Sequence, residues 1–207
     1  MHRSGTSMVA GTLHHSGITM GTSFRRLLPE NPKGFYEEEA FRCFNDRLLE
    51  DVGYFVKDWN PQFSGISTSP SSHSAAVSLI ERFNSTSDRW GWKDPRTCLT
   101  LGFWLNAIDT AKSLRNTKII VIERQIRSVS KSLYRRGNIS SLSQGAKLCR
   151  MYNSHLKRCL SEYRGHISVL HLRYERLLQG LDMDCWESFC GLELNKHFID
   201  ISLDHSG

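Results

Sequence analysis

Arg3-Ser4-Gly5-Thr6-Ser7 gathers a guanidinium, a glycine and a set of hydroxyls at one place in the chain, and Met8–Leu13, which follows at once, reads as a helix. The first amides of a helix lack backbone acceptors, and its dipole favours an anion there. Gly5 lets the backbone come close to an oxygen. Ser4, Thr6 and Ser7 add hydroxyl donors, and Arg3 adds a forked positive charge. The chemistry is that of a phosphate cradle. A plain helix start stays open beside it, because Ser and Thr are good N-caps. The spacing G-x-x-x-x-G-K-[ST] is absent, which disfavours a nucleoside triphosphatase.

Three further groupings bear on the same chemistry. Lys93 lies in Trp90-Gly91-Trp92-Lys93-Asp94-Pro95-Arg96. The apolar start reads as a short buried strand and Asp94-Pro95 as a turn into a helix. Lys93 would then stand at the carboxyl end of a strand, where open α/β sheets place ligands; a solvated lysine on a surface turn is the plainer reading. Arg124 closes the β-branched run Lys118–Glu123, Ser132 follows eight residues later, and Arg136 four residues after that. Residues four apart on a helix share a face, so Ser132 and Arg136 can join Arg124 around a dianion. Arg127, Lys131 and Arg135 leave a basic amphipathic helix open instead. Glu37, Glu38 and Glu39 follow Phe35-Tyr36. Each can act as a general base, or only favour the dipole of a first helical turn.

In this order along the chain, these segments resemble the sulfotransferases. The Arg3–Ser7 loop resembles their phosphosulfate loop, in which Lys or Arg precedes Ser-Gly-Thr. Lys93 before Asp-Pro resembles the lysine that reaches the bridging oxygen of the sulfate donor. Arg124 and Ser132 match the pair that holds the donor's 3′-phosphate, and Arg136 matches an addition of the tyrosine-protein branch. Asn31–Phe41 resembles a segment of bacterial and Golgi-type members that places an aromatic-Glu pair near the acceptor. Glu37 is the choice of base there, with Glu38 and Glu39 as alternatives. Tyr174, in Tyr174-Glu175-Arg176-Leu177, matches a position that contacts the nucleotide, and a structural tyrosine under the sheet is equally open. Asp94, not His, follows Lys93, which sets the chain apart from the cytosolic phenol and steroid branch.

The resemblance covers nearly the whole chain. It implies one sulfotransferase domain over residues 1–207, α/β, with a parallel β-sheet flanked by helices in a P-loop-like three-layer sandwich. It implies transfer of a sulfuryl group from 3′-phosphoadenylyl sulfate to a hydroxyl, less readily an amine, of a small molecule or saccharide. Adenosine 3′,5′-bisphosphate is the product, and no metal is expected. Arg3, Glu37 and Lys93 would be catalytic. Arg3, Ser4, Gly5, Thr6, Ser7, Arg124, Ser132, Arg136 and Tyr174 would bind the donor. Two alternatives are a nucleotide-binding remnant without catalysis and a P-loop kinase. The first rests on the strand expected ahead of a phosphate loop, since only Met1 and His2 precede Arg3.

The elements that must position these residues read as follows. Ser7–Ser16 is a helix stopped by Gly17. Glu37–Val52 carries Phe41, Phe44, Leu48, Leu49 and Val52 at helical spacing. Residues 60–74 read as a mobile loop, with an acceptor lid as the sharper reading. Thr97–Leu114, Leu142–Tyr163 and Asp184–Cys190 read as helices, and the chain ends in an irregular tail. Composition fits one globular domain, with 39% hydrophobic and 23% charged residues. The net charge of +6 suits an anionic donor. Lys and Arg are spread along the chain without a nucleic-acid module, so no nucleic-acid partner is expected. The six cysteines form no C-x-x-C pair, and Cys98, Cys149 and Cys159 read as small core residues. No apolar run reaches membrane-spanning length. A cytoplasmic enzyme is the simplest expectation, with the Golgi lumen as the alternative if an N-terminal anchor has been lost.

Overall fold

The computed structural model of the protein describes residues 1–24 and 34–199. Asn31, Pro32 and Lys33 of the aromatic-Glu segment therefore lie outside the described residues, as does the end of the tail. The described chain is α/β: eight α-helices with a small two-stranded parallel sheet. Strand β1 is Lys118–Glu123 and β2 is Ser168–Arg173, in register from Lys118 beside Ser168 to Glu123 beside Arg173. A right-handed crossover is the usual way to join such a parallel pair. Here the connection is two helices, α5 (Ile126–Arg135) and α6 (Leu142–Glu162).

Helix α1 spans Thr6–His15, one residue earlier than its sequence pattern indicates. Its N-cap is Gly5 at φ 85, and no side chain caps it. The plain Ser or Thr cap is thus not used; the backbone itself turns into the helix at a residue without a Cβ. Gly17, at φ 95, ends this helix with its amide on the His14 carbonyl.

Helix α2 spans Glu39–Glu50, not Glu37–Val52. Tyr36 has φ 52, and Glu38 is extended and makes an antiparallel bridge with Phe24. A left-handed tyrosine cannot continue a helix backwards. Glu37 and Glu38 are therefore ahead of the helix, and only Glu39 occupies its first turn.

The loop expected over 60–74 is shorter. Pro70 begins helix α3 (Pro70–Thr86), and Ser69 accepts a hydrogen bond from the Ser72 amide. Proline suits this first position because its missing N–H would have no partner there. Trp90–Trp92 forms no full strand; Trp90 makes one isolated parallel bridge with Thr19. Helix α4 (Thr97–Thr110) follows the Asp94-Pro95 turn, and its Trp104, Leu105 and Ala107 are fully buried. Short helices α7 (Tyr174–Leu178) and α8 (Met183–Cys190) follow β2, and a 3-10 turn over Lys196–Phe198 comes after them.

The core forms three apolar clusters. One joins α2, α3 and α4 through Phe41, Ile80, Phe83 and Trp104. A second joins α2, α4, α5 and α6 through Leu49, Leu99, Leu133 and Tyr152. The third joins α1 to β2, α7 and α8 through Val9, Leu172, Leu177 and Trp186. Each large side chain buried this way stabilises the fold by about 1.5–3 kcal/mol. All six cysteines are free thiols. Burial raises Cys149 and Cys159 to about 11, as expected of core residues.

Candidate functional site

Two sets of charged side chains carry the residues singled out by sequence. The first surrounds Gly5. Its positive φ would strain any other residue, and a Cβ there would lie 2.2 Å from Cδ2 of Tyr174. The loop therefore rests directly on the ring of Tyr174, which is buried at the start of α7. Arg124 lies over the other partner of this contact, with its guanidinium carbon 4.1 Å from the Tyr174 ring centre. Arg124 also donates from Nη1 to the carbonyl oxygen of Arg3 at 3.0 Å. Arg3 in turn donates from Nε to Oγ of Ser132 at 2.9 Å. The structure thus joins the loop, the end of β1, the inner face of α5 and the end of β2 through Arg3, Gly5, Arg124, Ser132 and Tyr174.

The other four donor-site candidates from the sequence are Ser4, Thr6, Ser7 and Arg136. Thr6 and Ser7 occupy the first turn of α1 and are half-buried, while Ser4 is almost fully buried. Arg136 is the C-cap of α5 and is exposed, whereas Ser132 is buried. Four-residue spacing would put the two on one side of the helix, but α5 ends at Arg135, between them.

The second set surrounds Lys93. Its Nζ donates to Oε1 of Glu37 at 2.8 Å, and both side chains are about nine-tenths buried. The three glutamates are sorted by what they touch. Glu38 accepts from the amides of Thr22 and Ser23 at 2.7 and 2.9 Å. Glu39 pairs with Arg42 on the surface of α2. Glu37 faces Lys93. An aromatic stack fixes this meeting: Phe41, in the first turn of α2, lies 4.5 Å from Trp92, which precedes Lys93, with rings only 4° from parallel.

Residues that the sequence reading passed over complete the set. Arg96 donates to Oδ1 of Asp94 from its backbone amide at 2.9 Å and from Nε at 2.7 Å. It also bonds Asp46 and lies 3.8 Å from Oε2 of Glu37. Asn45, fully buried, donates to Oδ2 of Asp94 at 2.9 Å and accepts from Thr100 and from the Trp104 indole. A signal was present for Asn45. It interrupts the apolar stripe Phe41, Leu48, Leu49 of α2, and a polar residue on such a stripe needs buried partners.

Electrostatics follow from burial and charge. Burial pulls Lys93 below its usual value against the opposite pull of Glu37 and Asp94. Burial also opposes the charge of Arg96, but Asp94, Asp46 and Glu37 outweigh it and raise its pKa. His2 links the two sets. Its pKa falls well below 6.5, first through burial and then through neighbouring cations, Arg96, Lys93 and Arg3 among them. Its Nε2 is out of contact with solvent and has no hydrogen-bond partner. The ring packs edge-on against Trp59 and Tyr152.

A cavity of about 580 Å³ lies at the 52–64 segment, lined by Tyr54, Asn60, Gln62, Phe63 and Met151 among others. None of the residues described above lines it. Among the described residues no group of His, Cys, Asp or Glu could hold a metal ion. No described helix is long and apolar enough to cross a membrane.

No protein-family model matches this chain, and neither a curated protein nor a solved structure matches it. What the geometry defines is a class of arrangement. A glycine turn opens a helix with two arginines and a serine beside it, and a buried lysine-glutamate pair shares a histidine neighbour with that turn.

Proposed function

We propose that the protein is a sulfotransferase that uses 3′-phosphoadenylyl sulfate. The observation that carries this reading is the chain of contacts from Arg124 through Arg3 to Ser132, laid over Gly5 and Tyr174. It brings together, from four separate elements, the residues whose order along the chain resembles the donor site of that family. The finer fold reading, a P-loop-like three-layer sandwich, is supported by parallel pairings between segments distant in sequence, Thr19 with Trp90 and β1 with β2.

The residues fit the donor chemically. Open amides at the start of α1, the hydroxyls of Thr6 and Ser7, and the guanidinium of Arg3 suit the 5′-phosphosulfate. Arg124 and Ser132 suit the 3′-phosphate, and Arg136 is exposed at the end of the same helix. The flat ring of Tyr174 suits contact with the nucleotide. In the reaction an acceptor hydroxyl oxygen forms a bond to sulfur while the bond from sulfur to the bridging phosphate oxygen breaks. The hydroxyl proton passes to the Glu37 carboxylate, and the leaving bisphosphate takes the electron pair. Lys93 and Arg3 stabilise that developing charge, as positioned cations do in phosphoryl transfer. Of the three glutamates, Glu37 is the choice of base because it lies beside Lys93, the group proposed to meet the leaving oxygen. The acceptor is a hydroxylated small molecule or a saccharide.

Calorimetric titration with adenosine 3′,5′-bisphosphate, with ATP and AMP as controls, tests the donor site. Selective binding of the bisphosphate, weakened at least about ten-fold in Arg124→Ala, supports the reading. Equal affinity for ATP and the bisphosphate overturns it.

A further inference from the structure

Basic residues are spread along this chain, but acidic ones are not. From Arg124 through Ser161, counting Arg124, there are nine Lys and Arg and no Asp or Glu. The whole chain carries +6, so the rest of it is net negative. This stretch folds as the α5–α6 hairpin. Ser130 of α5 meets Gly145 of α6 so closely that a Cβ on Gly145 would lie 2.8 Å from the Ser130 side chain. Val129, Leu133, Leu148 and Tyr152 point into the core. The outward faces carry the charge. Arg127 and Lys131 stand one turn apart on α5, and Lys147, Arg150 and Lys157 recur at helical spacing on α6. All of these are exposed except Lys131, which is half-buried.

The tip of the hairpin is different. Tyr134 is 53% exposed and Leu142 is 45% exposed, one on each side of the connection between the helices. They are two of the four large hydrophobic residues exposed among the described residues. A basic face with an aromatic and an aliphatic side chain at its edge has the chemistry of a bilayer interface. Lysine and arginine meet acidic headgroups, and apolar tips enter the boundary region.

We propose that the outward face of the α5–α6 hairpin docks on the surface of an anionic lipid bilayer. Charge alone would suit any polyanion; exposed Tyr134 and Leu142 favour lipid, because a soluble acidic polymer offers no apolar layer to receive them. The inner side of α5 carries Ser132, bonded to Arg3. Docking would therefore hold the Gly5 loop about one helix diameter, roughly 10 Å, from the membrane surface. This inference stands apart from the donor reading and does not need it.

Co-sedimentation of the whole chain with vesicles tests it. Vesicles of phosphatidylcholine alone are compared with vesicles containing about a third phosphatidylserine, at low and high salt. Binding is expected only to the acidic vesicles and is expected to fall sharply at high salt. Each basic residue at such a surface strengthens partitioning about five-fold, so Arg127→Glu with Arg150→Glu should weaken it by at least about 25-fold. Arg82→Glu with Arg115→Glu makes the same change of charge at exposed positions outside the hairpin and should weaken it far less. Leu142→Ser with Tyr134→Ser should weaken vesicle binding several-fold while leaving binding to polyglutamate unchanged. The proposal is overturned if wild-type protein ignores acidic vesicles, if the two charge-reversal pairs act equally, or if the serine pair has no effect on vesicles.

Discussion

Around Lys93 the cations meet carboxylates, whereas Arg3 and Arg124 meet a hydroxyl, a carbonyl and an aromatic ring. Lys93 and Arg96 are buried with Glu37, Asp94 and Asp46. Arg3 bonds a hydroxyl, and Arg124 bonds a carbonyl and lies on an aromatic ring. A buried charge without a charged partner is costly, so the first region needs its carboxylates to exist inside the fold. A neutral partner orients a guanidinium without cancelling its charge. The first amides of α1 lie beside the same group of residues. The contrast is between a network of buried ion pairs and a set of contacts built on a glycine turn and an aromatic ring.

The sharpest way to break this comparison is Arg96→Met. It strands Asp94, whose side chain is 1% exposed, and removes a partner of Asp46 and Glu37. Unfolding in urea should show a loss of about 3–5 kcal/mol, the usual result of removing one partner of a buried pair. A loss under about 1 kcal/mol would erase the distinction between the two regions. Gly5→Ala comes next. The new methyl meets the Tyr174 ring at a backbone angle that disfavours it, for about 1–3 kcal/mol. Bisphosphate affinity should drop with it. Adding Tyr174→Ala should recover part of the stability, a coupling that a double-mutant cycle measures.

Ser132→Ala should cost only about 1 kcal/mol, the ordinary worth of one hydrogen bond, while reducing bisphosphate affinity more than Arg96→Met does. If affinity and stability fall in the same proportion in both variants, the Arg3 region has no special part in binding. The smallest effect at neutral pH belongs to His2. In the folded state it stays neutral well below 6.5, whereas the unfolded chain protonates it near 6.5. The unfolded state then binds more protons, so stability falls as pH drops below that value and is constant above it. His2→Phe keeps the ring between Trp59 and Tyr152 and removes an unpaired buried nitrogen. Its stability should exceed wild type slightly at pH 8 and by more at pH 5, as thermal unfolding at the two values would show.

Much of the local structure was legible in the sequence. The β-branched run Lys118–Glu123 is a strand over those same residues, because such side chains fit a pleated surface wherever it lies. Helices α4, α6 and α8 follow their apolar periodicity to within a few residues. The misreadings share a cause. Glu37 and Glu38 look like the first turn of a helix until Tyr36 turns left-handed and Glu38 takes the amides of Thr22 and Ser23. Trp90–Trp92 looks like a strand, but a strand is defined by its neighbours, and Trp90 has a single bridge to Thr19.

The sequence by itself determined which side chains could bind an anion and which local turns and helices would carry them. Those are properties of residue type, of spacing and of backbone angle, and they act over a few positions. Only the tertiary structure decided which of them meet. Arg3 and Ser132 are 129 residues apart, and Lys93 and Glu37 are 56 apart. Nothing local links them; the stack of Phe41 on Trp92 and the packing of α5 against its neighbours bring them together. The choice among three adjacent glutamates was likewise made by distant partners, since carboxylates one residue apart have the same chemistry and differ only in where the fold points them.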